Sequence, residues 1–203
     1  MSFNTRRGDL FINPLSGYTT TFLVKERWTN LTFARSVLAT LIWKRRPCTI
    51  LDIDALYSSN SDYVFGLLSE EETRSIEIVV PRPGSDTMAE IADLLGSSPD
   101  RALIIDSLNS LYHLLSTNGH SSKNRNLAFV LALLSFVART EKKAVFFTMY
   151  QRDKSINLRR EKPISHLSDF TVVVSAKKGA LSLKCERGSV WPGGALVIPN
   201  PCR

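Results

Sequence analysis

Thr20-Thr21-Phe22-Leu23-Val24, followed by Lys25-Glu26-Arg27-Trp28-Thr29-Asn30-Leu31-Thr32, is the stretch on which the fold turns. The first five residues are apolar or β-branched and predict a strand. Beyond the polar segment, Phe33, Val37, Leu38, Leu41 and Ile42 recur at spacings of three and four, which predicts a helix that buries one face. Thr49-Ile50-Leu51-Asp52-Ile53-Asp54 predicts the next strand. Residues 20–54 therefore run strand, loop, helix, strand, with the loop where such a unit can hold a phosphate. A phosphate-binding loop needs glycines, so that successive backbone N–H groups can curl around the anion, and a lysine to meet its charge. This loop has no glycine. Bulky Arg27 and Trp28 occupy the turn, and Leu31 stands immediately before Thr32, where the ammonium belongs. The frame of a phosphate-binding unit is expected, without its chemistry.

Working outward, β-rich and helical runs alternate. Ile76-Glu77-Ile78-Val79-Val80 predicts a third strand, stopped by Pro81 and Pro83. Asp86 is placed to cap a helix through about Leu95, with Met88, Ile91, Ala92 and Leu95 inward and Glu90 and Asp93 toward water. Ala102-Leu103-Ile104-Ile105 is a continuous apolar run, as expected of a central parallel strand covered on both faces. Asn126 to Ala138 predicts a helix with Leu127, Val130, Leu131, Leu134 and Val137 on one side, and Ala144-Val145-Phe146-Phe147-Thr148 the next buried strand. The order predicts an α/β domain of three layers around a mostly parallel central sheet. Phe170–Ser175 and Leu181–Cys185 flank Lys177-Lys178-Gly179 and predict a C-terminal antiparallel hairpin. The tail after Trp191, with Pro192, Pro199 and Pro201, reads as extended. Without repeat, low-complexity segment or linker, residues 1–203 read as a single domain.

Composition narrows the function classes. At 43% hydrophobic and 22% charged, the chain can fill a core, and no apolar run approaches the ~18–20 residues of a membrane helix. The start, Met1-Ser2-Phe3-Asn4-Thr5-Arg6-Arg7, lacks the apolar stretch of a signal peptide, so an intracellular protein is expected. Cys48, Cys185 and Cys202 are odd in number and far apart, which argues for reduced thiols over a disulfide framework or a CxxC metal site. His113, His120 and His166 show no ligand spacing, so no metal is expected. A net charge of +7 favours contact with nucleic acid or another acidic surface.

Four landmarks then recur in order: the strand, loop and helix of Thr20–Leu41; Ile50-Leu51-Asp52-Ile53-Asp54-Ala55-Leu56-Tyr57; Ala102-Leu103-Ile104-Ile105-Asp106-Ser107-Leu108-Asn109-Ser110-Leu111-Tyr112; and Ala144-Val145-Phe146-Phe147-Thr148-Met149-Tyr150-Gln151. Together they resemble the core of RecA/RadA/KaiC-type proteins, nearest the short recombinase paralogues without an amino-terminal extension. The second resembles the "Y-I-D-T-E-G-T-F" strand, with Asp54 on the position of the catalytic glutamate. The third resembles the "V-V-I-D-S-I-x-x-L" Walker B strand, whose aspartate, here Asp106, serves Mg²⁺. The fourth resembles "V-V-V-T-N-Q-V", after which that family places a mobile DNA-contacting loop and a hairpin.

The departures from the family decide the expected function. Walker A has lost its glycines and lysine, and Thr32 alone survives, read as a helix N-cap. Asp54 is one methylene shorter than the glutamate that would polarise a water, and Met149 replaces the sensor asparagine. Asp106 has two readings: a ligand for Mg²⁺ brought by a nucleotide, or a structural carboxylate accepting hydrogen bonds from the loop or from Ser107. The second is preferred, because Mg²⁺ binds mostly through phosphates and waters. Asp52 and Asp54 read likewise as solvated strand-end carboxylates or interface residues. A pseudo-ATPase without cofactor is expected.

The segment Gln151–Lys162 carries Arg152, Lys154, Arg159, Arg160 and Lys162 against Asp153 and Glu161. In the resembling family this is the second DNA-binding loop, and such a loop suits sequence-independent contact with phosphates; the plainer alternative is a solvated basic loop. Lys177 and Lys178 lie where some RecA-type proteins reach a neighbouring subunit's nucleotide, or are solvated turn lysines. Lys44-Arg45-Arg46 reads as a helix C-terminal cluster. The resemblance implies a non-catalytic paralogue that binds DNA and a recombinase or RecA-like paralogue, in a homo- or hetero-oligomer, to assist homologous recombination and repair. An RNA-binding scaffold like the RecA-fold subunits of Elongator, a KaiC-like assembly and a divergent ATPase are the alternatives.

Overall fold

Eight strands form one sheet in the order β3-β2-β4-β5-β1-β6-β7-β8. The computed structural model describes residues 15–25, 30–35, 38, 47–81, 87–96, 100–115, 120–150, 168–177, 180–187 and 196–199. In chain order these give β1 (Thr19–Val24), α1 (Asn30–Phe33), β2 (Cys48–Asp52), a 3-10 turn (Ser58–Asn60), α2 (Ser61–Phe65), α3 (Glu70–Arg74) and β3 (Ile76–Val79). They continue with α4 (Thr87–Leu95), β4 (Ala102–Asp106), α5 (Leu108–Leu114), α6 (His120–Glu141), β5 (Val145–Tyr150), β6 (Phe170–Lys177), β7 (Ala180–Arg187) and β8 (Leu196–Pro199).

Strands β3, β2, β4, β5, β1 and β6 run parallel, while β7 and β8 are antiparallel additions. The expected α/β architecture, with a mostly parallel sheet and a C-terminal hairpin, is present. The tail read as merely extended supplies β8, whose Leu196–Pro199 pairs with Ala180–Leu183.

Alternation along the central strands sends side chains to two cores. Phe22, Val24, Ile50, Ile104, Phe146, Val172 and Val174 pack on one face with Phe33, Leu38 and Tyr57. Leu51, Leu103, Ile105, Val145 and Phe147 pack on the other with Ile91, Leu94, Leu108, Leu111, Leu127, Val130, Leu131 and Leu134. Each central strand is thus covered twice, which is why its sequence is continuously apolar. Within the first core, the Phe22 ring stacks on Phe146 at 6.0 Å between centroids and meets Phe33 at 5.2 Å.

Two expectations for the helices change. Ala92 is exposed, and Leu94 takes the inward position with Ile91 and Leu95. Helix α6 spans His120–Glu141, well beyond 126–138 at both ends. The segment between β2 and β3 holds α2 and α3. A capping box fixes the start of α3: the Ser69 hydroxyl accepts from Glu72 N–H while the Glu72 carboxylate accepts from Ser69 N–H.

Polar ties close the amino-terminal edge of the sheet. The Arg101 guanidinium donates to the Cys48 carbonyl at 3.0 Å and the Ser75 carbonyl at 3.2 Å, and pairs with Glu77 at 3.6 Å, so one side chain joins β2, β3 and β4. Burial, against the nearby Arg101 charge, pushes the Cys48 thiol up to about 12 and leaves it inert. Asp169, just before β6, accepts from Thr19 N–H and the Thr19 hydroxyl at 2.9 Å each, and pairs with Arg139 of α6 at 2.7 Å.

Candidate functional site

In open parallel α/β sheets, chemistry gathers beyond the carboxyl ends of the strands. There Asp52 of β2 lies in register with Asp106 of β4, and Thr148 and Tyr150 stand on the neighbouring β5. Asp106 and Thr148 project to the face that carries Tyr57 and α1, because Ile104 and Phe146, two residues earlier on each strand, do so.

Asp106 has no exposed surface. Its Oδ1 accepts a hydrogen bond from the Thr148 hydroxyl. Its Oδ2 and the phenolic oxygens of Tyr57 and Tyr150 are buried beside one another. Burial pushes the Asp106 carboxyl up to about 7; the Thr148 and Tyr150 hydroxyls oppose this, and the charges of Asp54 and Asp52 add to it. Both phenols are held well above their ordinary range, first by burial and then by the Asp106 charge. Of the hydrogen-bond donors expected for Asp106, Ser107 turns instead to Asp54, and the hydroxyl that reaches Asp106 is Thr148. The Asp106–Ser107 peptide is cis.

Ser107 and Ser110 both donate to Asp54, Ser107 at 3.1 Å, and the Ser107 oxygen also accepts from Ser110 N–H at the start of α5. Asp54 is exposed and stands at the solvent edge of the site. Asp52 is a different residue from the solvated strand-end carboxylate expected. It is fully buried and accepts from Leu56 N–H at 2.8 Å, Tyr57 N–H at 3.1 Å, and Ser58 N–H and the Ser58 hydroxyl at 2.8 Å each. Four donors converge on this carboxylate because the chain reverses immediately after β2, with Ala55 at φ 52°. That turn delivers Tyr57 to Asp106.

Two expected site residues lie in α1. Leu31 is half-buried and packs against the first core. Thr32 is buried inside the helix, so it is not the N-cap that the sequence suggested. Met149, in place of the sensor asparagine, is buried. Arg27 and Trp28 lie outside the described residues, as do Arg152, Lys154, Arg159, Arg160, Lys162 and Lys178. Lys177 ends β6, paired with Ala180, and its side chain is likewise not described. Lys44–Arg46, His166 and Cys202 also fall outside them.

Sequence reasoning missed Tyr57, Tyr150 and Asn109. Tyr150 was legible in principle, since the two-residue period of β5 puts it on the face of Thr148. Asn109 carried no signal. Its side chain spans Tyr150 on both sides, accepting from Tyr150 N–H at 2.9 Å and donating to the Tyr150 carbonyl at 3.3 Å. The residue from which the basic segment departs is therefore fixed through its backbone by α5 and packed through its ring against the first core.

A RecA-type site uses Mg²⁺, which keeps several waters and meets one or two ionised carboxylates alongside nucleotide phosphates. The residues here do not fit that ion: the Asp106 carboxyl has no surface for a hydrated metal, is pushed by burial toward its neutral form, and is bordered by two phenols. Among the described residues no group of three or more His, Cys, Asp or Glu side chains has metal-binding geometry. Nor is any helix among them long and apolar enough to cross a membrane.

No protein-family model matches the chain, and no curated protein matches it by sequence. Solved structures do match. A RadB recombinase superposes with a TM-score of 0.62 at 16% identity, covering 90% of this chain and 87% of its own. A KaiC-like protein from the hyperthermophilic archaeon Pyrococcus horikoshii OT3 gives 0.60 at 15%, covering 91% of this chain and 85% of its own. Identities this low carry the architecture alone, and it agrees with the sheet: the chain has the RecA/RadA/KaiC-type fold.

Proposed function

We propose that this chain is a non-catalytic RecA-fold subunit that binds nucleic acid and a RecA-like partner, most simply a recombinase paralogue acting in homologous recombination and DNA repair. The observation that carries the reading is the buried Asp106. An ATPase keeps that carboxylate ionised and open to a hydrated metal, whereas here Thr148, Tyr57 and Tyr150 enclose it. The loop sequence supports the same conclusion, because Arg27, Trp28 and Leu31 supply neither glycine nor lysine to a triphosphate. The nucleic-acid half rests on Arg152, Lys154, Arg159, Arg160 and Lys162, five cations in the twelve residues that follow Tyr150. Lys177 and Lys178 at the hairpin add positive charge that a partner's nucleotide could meet in trans.

Two measurements test it. Calorimetric titration with ATP and Mg²⁺ is expected to give no heat of binding and no change in Trp28 fluorescence; stoichiometric binding would overturn the pseudo-ATPase reading. Anisotropy with a single-stranded DNA oligonucleotide is expected to show ATP-independent binding. The double change Arg159→Glu/Arg160→Glu is expected to reduce the slope of log K against log salt by about 1.4 to 1.8, since each lost phosphate contact contributes roughly 0.7 to 0.9. An unchanged slope would remove the basic segment from the interface, and a clear preference for tRNA over DNA would move the reading to an RNA-binding scaffold.

A further inference from the structure

Helix α6 is apolar on the side that should be wet. Its inward face is made by Leu127, Val130, Leu131, Leu134 and Ala138, all buried in the second core. On the opposite side Phe129 is 60% exposed and Phe136 64% exposed, with Ala132 exposed between them and Leu133 only half-covered. No charged residue occurs from Asn126 to Ala138. A helix lying on one face of a sheet needs a single apolar stripe, and a second stripe signals a second neighbour.

The outer stripe has coiled-coil spacing. Arg125, Phe129, Ala132, Phe136 and Arg139 follow one another at intervals of 4, 3, 4 and 3 residues, the pattern of a seam that receives one straight helix. Small Ala132 between two phenylalanines leaves a notch for an apolar side chain from that helix. The ends of the seam are both basic, with Arg125 and Arg139 14 positions apart, or about 21 Å along the axis.

This charge pattern selects the occupant. A second copy of the chain, laid antiparallel so that Phe129 meets Phe136 of its neighbour, brings Arg125 toward the neighbour's Arg139, and each copy carries a net charge of +7. Asp169 already neutralises Arg139, so Arg125 carries the unmatched charge of the seam, and the neighbour's Arg139–Asp169 pair offers it no free carboxylate. We propose that the outer face of α6 is the docking surface for an amphipathic helix of a different protein, whose apolar stripe carries Asp or Glu where it meets Arg125. The inference rests on the partner half of the reading above and is independent of the buried carboxyl.

The probe is a pair of stapled helical peptides of about 18 residues. Both carry leucines at the 4, 3, 4 spacing, with glutamates bracketing the stripe in one and lysines in the other. The full chain is expected to bind the glutamate peptide at least roughly tenfold more tightly than the lysine peptide, to lose roughly tenfold or more on Phe136→Asp, and to lose its preference on Arg125→Glu. Because Phe129 and Phe136 are exposed, Phe→Asp at either is expected to leave the circular dichroism spectrum and melting temperature unchanged, which separates a lost surface from a lost fold. Equal binding of both peptides, or none, would overturn the proposal. A concentration-dependent dimer in sedimentation equilibrium that Phe129→Asp abolishes would overturn it in favour of a second copy. Failure on either count would leave the calorimetric test of the nucleotide site untouched.

Discussion

Replacing Asp106 by Asn should make the protein more stable at pH 8 and change it much less at pH 5. In the native protein the carboxyl titrates near 7 rather than at its ordinary 3.8, because burial penalises the charged form. A group whose folded value is raised contributes stability that is complete below the unfolded value and is lost as pH rises through the folded one. Between pH 4 and 7 the loss runs at about 1.4 kcal/mol per pH unit, so from pH 5 to 8 the carboxyl costs the fold about 2 to 3 kcal/mol. An asparagine retains an oxygen to accept from Thr148 and gains an N–H₂ to meet the phenols, while having nothing to ionise. The assay is urea unfolding of both proteins at half-unit steps from pH 5 to 8.5. Subtracting the two curves cancels every other titrating group. The stability of Asp106→Asn relative to the native protein should climb by about 2 to 3 kcal/mol across that window and level off above pH 7.5. A flat difference, or one that falls with rising pH, would refute the assignment of a buried, largely protonated carboxyl.

Two further substitutions probe the supports of the site. Asp52→Ala strands three backbone N–H groups and the Ser58 hydroxyl, and is expected to destabilise by about 3 kcal/mol or more in the same unfolding assay; a loss below about 1 kcal/mol would show that the turn holds without its carboxylate. Asn109→Ala removes both side-chain hydrogen bonds to the Tyr150 backbone, at an expected cost of about 1 to 3 kcal/mol. It should also weaken DNA binding without altering its salt slope, because it frees the root of the basic segment while removing no cation. A changed slope would indicate instead that Asn109 touches the nucleic acid.

The layers of this fold were legible because burial writes itself into periodicity. Ala102–Ile105 and Val145–Phe147 are apolar at every position, as strands covered twice must be, and both are central. The short α2 and α3 were not, since five-residue helices span barely more than one turn and give no 3.6-residue pattern to read. At the site, the strand-end position of Asp106 followed from the apolar run before it, but its enclosure did not. Tyr57 reaches it across a turn held by Asp52, and the sequence records neither that reversal nor the reach of a phenol. Ala92 was placed inward because an alanine suits either side of a helix, and packing chose Leu94 instead.

The two phenols beside Asp106 have a consequence for how such a chain can change. Trimming Tyr57 alone opens a void in the first core, at a cost of the order of 3 to 5 kcal/mol for a buried aromatic, and still leaves Tyr150 over the carboxyl. Trimming Tyr150 alone exposes an acid whose remaining neighbours, Tyr57 and Thr148, are arranged for a dry interior. Neither step gives an open acid by itself, so reaching one demands paired substitutions through a less stable intermediate. The enclosure of Asp106 is thus held by two rings that must go together.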